Sequence, residues 1–208
     1  MAHLLQGLVA VILLANVAAA QQKVFSHRFH LAMDLTCVTC HPSINTSTKA
    51  ADDNLPPAAA CAGCHIDGRT ARPSLPRKVD SFNHQLHTKF GNITPLLRAA
   101  IASKQYLAVQ PPTHLDTKNN CASCHHGIEQ SDDVRAASVH PAMADCLVCH
   151  NKMEAPFTCE KCHSDVPALK PANHSRDFID FHNRKNAGLD RSTCFTCHGK
   201  QFTCLGCH

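Results

Sequence analysis

The chain is 208 residues long, with 20 Lys and Arg against 16 Asp and Glu, a formal net charge of +4, 14 Cys, 17 His, one Tyr and no Trp. A balance so near neutral, with no basic cluster, excludes a nucleic-acid binder. The scarcity of aromatic residues, together with 12 Pro, excludes a large conventional core and predicts sparse regular secondary structure.

Residues 1–20 read as a secretory signal: an apolar run from Leu4 to Leu14, interrupted by Gln6 and Gly7, leads to the small-residue site Ala18-Ala19-Ala20. No Lys or Arg precedes that run, which leaves an uncleaved membrane anchor as the alternative. The lack of a cysteine near the cut argues against a lipid anchor. The product is expected to be exported, periplasmic or extracellular, and no later stretch is long and apolar enough to span a bilayer.

Residues 21–72 open with Phe25-Ser26-His27-Arg28-Phe29-His30 and hold Cys37-Val38-Thr39-Cys40-His41 and Cys61-Ala62-Gly63-Cys64-His65. Residues 73–166 follow a proline-marked linker, Pro73 to Arg77, and open with Phe82-Asn83-His84-Gln85-Leu86-His87. Both openings read Phe-x-His-x-x-His, which points to duplication. On a helical turn two His three apart share a face, so one rigid segment can serve two neighbouring cofactors. Leu96 to Val109 has helical periodicity and predicts a helix. After it come Cys121-Ala122-Ser123-Cys124-His125, the lone His140, Cys146-Leu147-Val148-Cys149-His150 and Cys159-Glu160-Lys161-Cys162-His163. Residues 167–208 start with a second linker, Pro167 to Pro171. They carry His174, His182, Cys194-Phe195-Thr196-Cys197-His198 and Cys204-Leu205-Gly206-Cys207-His208.

All 14 cysteines are thus used in seven Cys-x-x-Cys-His motifs. Two thiols three residues apart can form thioethers to the two vinyl groups of one porphyrin, and the adjacent imidazole then binds iron. Zinc needs such motifs in pairs and has no use for a His after each, and seven is odd. A disulfide within each motif would close a very short loop and leave the His unexplained. The expectation is seven covalently attached haem c groups, with His41, His65, His125, His150, His163, His198 and His208 as proximal ligands. One haem per roughly 27 residues of exported chain makes the haems themselves the core. The expected fold is a multihaem cytochrome c: a few short α-helices wrapped around haem, little or no β structure, and folding dependent on haem attachment. Seven ferric haems with their propionates take the net charge to about −3.

Once His3 leaves with the signal, nine further His remain: His27, His30, His84, His87, His114, His126, His140, His174 and His182. Nine imidazoles suffice to cap seven irons. A haem capped on both sides passes single electrons, whereas an enzyme haem keeps one axial position open. His126 follows His125 directly and is expected to meet a propionate or solvent. Met33, Met143 and Met153 are expected to pack rather than ligate.

Phe82 to His163 resembles the trihaem cytochrome c7 members of the class III cytochrome c (cytochrome c3) superfamily. The resemblance rests on Phe82-x-His84-x-x-His87, then motif 3, His140, motif 4 and motif 5, in that order. It implies that His84 faces His125, His87 faces His150 and His140 faces His163. The stretch between His87 and Cys121 is far longer than is usual there, and His114 within it competes with His84. Residues 21–72 resemble a truncated c7 unit capped by His27 and His30. Residues 167–208 resemble the tail of other multihaem cytochromes, in which His174 and His182 would cap the two closing haems, with their pairing open.

The function expected is electron relay in anaerobic or quinol-linked respiration, with no catalytic residue and no enzymatic bond chemistry. The partners expected are redox proteins or a quinol-oxidising membrane complex, and assembly with other cytochromes fits the same chemistry. The competing readings are a multihaem reductase with one open haem, or a haem subunit of a membrane complex or extracellular filament.

Overall fold

The computed structural model of the chain describes residues 25–66, 79–135, 139–150, 159–172, 174–182, 184 and 188–199. The expected signal, the linker at 73–77, Met153 and the seventh motif with Cys204, Cys207 and His208 lie outside these residues.

The first five haem motifs each turn on their own backbone. The carbonyl of the first cysteine accepts the N–H of the motif's His at 2.8 Å for Cys37 and at 2.9 Å for Cys61, Cys121, Cys146 and Cys159. That single turn brings both thiols and the imidazole to one side. The described α-helices are correspondingly short: α1 (His27–Leu31), α2 (Cys37–Cys40), α3 (Ala58–Ala62), α4 (His84–His87), α5 (Thr94–Ala102), α6 (Met143–Leu147), α7 (Phe178–Phe181) and α8 (Phe195–His198). No strand occurs among the described residues, so the expected helix-poor architecture is found.

Capping starts the two duplicated helices where the sequence places them. Ser26 Oγ accepts from Phe29 N at 3.0 Å, and Asn83 Oδ1 accepts from Leu86 N at 2.9 Å. Either cap satisfies an amide that a helix start would leave unpaired.

The helix expected over Leu96 to Val109 needs correction. α5 runs Thr94–Ala102, begins on Pro95 in its first turn, and stops because Lys104 turns left-handed at φ 59°. Gln105 and Tyr106 then both donate to the Ala100 carbonyl, at 2.8 and 3.1 Å. The reversal tucks Tyr106 under the helix against Leu97 and Ala144, ringed by Ile93, Ala100, Ile101, Leu107, Ala108, Leu115 and Val148. Burial of Tyr106 and Leu97 outweighs the helix propensity of the seven residues 103–109 that the helix forgoes.

Hydrogen bonds join the successive segments. Arg28 N donates to Ser131 O at 3.0 Å, and the Arg28 side chain pairs with Asp132. Gln85 N donates to Ser47 O at 2.9 Å, Asp80 N to Cys162 O at 2.9 Å, and Thr196 Oγ1 to Leu107 O at 2.8 Å.

Candidate functional site

The histidines expected as axial ligands come together in pairs. Ring centroids lie 6.5 Å apart for His27 and His41, 6.1 Å for His30 and His65, 6.3 Å for His87 and His150, and 6.2 Å for His174 and His198. With metal–nitrogen bonds of about 2.0 Å and roughly 1.1 Å from nitrogen to ring centre, two imidazoles trans on one metal have centroids about 6 Å apart. The observed separations therefore fit two imidazoles on opposite sides of one iron, each beside a cysteine pair able to hold a porphyrin.

Hydrogen bonding selects the nitrogen that would face the metal. Nδ1 donates to a main-chain carbonyl in His30 (Ser26, 2.7 Å), His41 (Asn54, 2.6 Å), His87 (Asn83, 2.7 Å), His125 (Val139, 2.8 Å) and His182 (Phe178, 2.8 Å). Those bonds fix the ring and leave Nε2 for a ligand. Nδ1 of His27 and of His84 is buried without a hydrogen-bond partner. His27 is held down to about 4 from the usual 6.5, by burial first and then by His41, His30 and His125 nearby. His84 is lowered as well, by burial and then by His125, and burial lowers His125. These rings stay neutral, the form in which imidazole binds a metal.

The remaining predicted ligands divide clearly. His84 stands within electrostatic reach of His125, whereas His114 is exposed on the insertion. His140 follows Val139, whose carbonyl holds His125, and it too acts on His125. His163 closes the turn of motif 5 on Cys159.

Phe178 stacks on both His174 (4.9 Å, 11°) and His182 (5.0 Å, 16°). The sequence signal for this role is its place four residues from either His. Met33 and Met143 are exposed.

His126 departs from expectation. It is buried at 6% exposure rather than turned to solvent, with Nε2 3.2 Å from Asp145 Oδ1. Asp145 also accepts from Tyr106 Oη at 2.7 Å and from Ala142 N at 2.7 Å, and burial together with that carboxylate pushes the Tyr106 hydroxyl far up. A His beside a haem motif looks polar in one dimension, and only the fold brings the buried Asp145 against it.

None of the twelve described cysteines is in a disulfide, and no cluster of three or more His, Cys, Asp or Glu suited to a bare metal ion occurs among the described residues. The thiols are neighbours across motifs instead. Cys37 and Cys121 share a hydrogen bond that pulls Cys37 down and pushes Cys121 up, and Asn119 Nδ2 stands 3.4 Å from Cys37 Sγ. Burial, and then the nearby thiols named here, push up Cys40 (Cys61), Cys146 (Cys124 and Cys162, after Asp145) and Cys197 (Cys159). The motifs thus follow one another in the order 2, 1, 3, 4, 5, 6.

Residues 30–208 match the family described as outer membrane cytochrome MtrC/MtrF-like, domains II/IV. No curated protein and no solved structure matches the chain.

Proposed function

The chain belongs to the outer membrane cytochrome MtrC/MtrF-like family and is a multihaem c-type cytochrome; from that premise we propose a heptahaem relay of single electrons through bis-His sites. The four facing imidazole pairs, at 6.1 to 6.5 Å, are the observation that carries this reading. Haem supplies reversible one-electron chemistry when bound. The cysteine pairs would anchor it, the motif His would ligate the iron, and a second His would leave no position open to substrate. Main-chain carbonyls hold the rings, so that ligand geometry changes little with oxidation state.

The ligand set proposed is His27 with His41, His30 with His65, His84 with His125, His87 with His150, His140 with His163 and His174 with His198. His182 is left for His208. The pairings at motifs 3 to 5 follow the cytochrome c7 resemblance, although the family match is to the MtrC/MtrF-like cytochromes. The neighbouring thiols support a relay running 2, 1, 3, 4, 5, 6, within dihaem, trihaem and dihaem segments at 21–72, 73–166 and 167–208. An exported protein facing the periplasm or the exterior, working with redox partners or a quinol-oxidising complex in anaerobic respiration, suits that chemistry.

The test is a haem count by pyridine haemochrome together with carbon monoxide binding to the reduced holoprotein. Seven haems per chain and no carbon monoxide adduct are expected. An adduct at one haem would replace the relay reading with the reductase reading.

A further inference from the structure

We propose that Phe25 and Phe82 are positioning residues that hold the imidazoles of His30 and His87 tilted against His65 and His150, making sites 2 and 4 a matched pair distinct from site 1. The inference rests on the bis-His reading above.

The imidazole planes fall into two groups. At site 2 the rings of His30 and His65 meet at 38°, and at site 4 those of His87 and His150 meet at 36°. At site 1 the rings of His27 and His41 are within 14° of parallel, and at site 6 those of His174 and His198 are within 8°.

Both tilted rings carry the same two restraints. Phe25 stacks on His30 at 4.4 Å and 13°, and Phe82 stacks on His87 at 4.3 Å and 26°. In each case Nδ1 also donates to the carbonyl of the residue just after that Phe, at 2.7 Å. The hydrogen bond fixes the direction of the ring within its plane, and the stack fixes the plane. Neither restraint alone is enough: an imidazole hinged on one hydrogen bond still swings about χ2, a broad torsion.

The first His of each repeat meets the same Phe differently. Phe25 stands at 80° to His27 and Phe82 at 80° to His84, edge to face. One Phe per repeat therefore treats its two imidazoles unequally, stacking on one and abutting the other. Phe178 is the control within the chain. It stacks on His174, yet that ring lies within 8° of His198. Stacking by itself therefore does not produce the tilt.

The plane angle has a direct spectroscopic signature. In a low-spin ferric site with two axial imidazoles, the splitting of the iron π orbitals falls as the ligand planes turn away from parallel, and the largest g value rises. Electron paramagnetic resonance of the oxidised holoprotein should show a feature from sites 2 and 4 at higher g than the near-parallel sites. Phe82→Leu keeps apolar bulk without a stacking plane and should remove half of that feature. Phe25→Leu should remove the other half, and the double variant all of it, at unchanged haem content. Phe82→Tyr keeps the ring and should restore the native spectrum.

Unchanged spectra in both Leu variants would overturn the proposal, as would a five-coordinate high-spin signal in them, which would make Phe a retainer of the ligand instead of its orienter. A native protein lacking bis-imidazole signals altogether would overturn the underlying reading instead.

Discussion

The segments built on α1 and α4 start from the same six-residue pattern and diverge in what supports it. Around α1, His30 and Cys37 are separated by six residues, and the only buried residue described between Phe25 and Ile66 is Ser47. Around α4, residues 88–120 intervene, and every buried apolar side chain described lies in or after that insertion: Leu97, Tyr106, Ala122, Val139 and Ala144. The ring geometry is nevertheless the same, 38° and 36° at the second His of each. Local capping and stacking therefore set the ligand geometry, while the insertion supplies stability and carries the Leu107 carbonyl that receives Thr196 from the closing segment.

That contrast breaks first, and most severely, on removal of haem. Apo-protein made without haem attachment should lose amide protection throughout 25–66, while residues around Leu97 keep measurable protection because they own apolar contacts. Equal loss in both segments, by hydrogen exchange, would erase the distinction.

Next in size is ligand removal. His30→Ala and His87→Ala should each open one iron, giving one carbon monoxide bound per reduced chain and a rise in that site's potential. His114→Ala should give none, since His114 is exposed whereas His84 is part-buried and within electrostatic reach of His125.

Smaller effects separate the insertion from the duplicated turns. Leu97 is fully buried, so Leu97→Ala should cost about 2–5 kcal/mol in denaturant unfolding. Tyr106→Phe removes a donor from the buried Asp145 and should cost about 1–3 kcal/mol. Neither should alter the g values of site 2.

Acid gives the mildest test. His27 sits at about 4 in the folded chain against an ordinary 6.5, so the unfolded chain takes up the proton first. Its contribution is complete above pH 6.5 and is lost as pH falls towards 4. His84 is shifted in the same direction by the same leading cause, burial. Stability to denaturant should therefore fall as pH drops from 6.5 towards 4, and stability that stays flat across that window would remove His27 from the comparison.

Much of the chemistry was legible in one dimension because it depends on covalent spacing. Two cysteines and a His within five residues can reach one porphyrin wherever the segment lies, and Phe-x-His-x-x-His becomes a turn carrying two imidazoles because helix geometry is local. The supply of axial His is likewise a matter of composition. The sequence misplaced the end of α5 and exposed His126, since both depend on Tyr106 folding back under Leu97 to reach Asp145, a contact 39 residues distant. It showed Phe25 and Phe82 without showing which ring each would stack on.

Order in space was beyond the sequence for the same reason. Counting along the chain puts motif 1 at an end, whereas Cys37 lies against Cys121 and Asn119, 82 residues away in the case of Asn119, which moves motif 1 inside and motif 2 outward. The motifs mark where haem c can be attached and which His stands beside each attachment, because those groups lie within five residues of one another. Which cofactor neighbours which is decided by long-range packing, and only the folded chain carries that information.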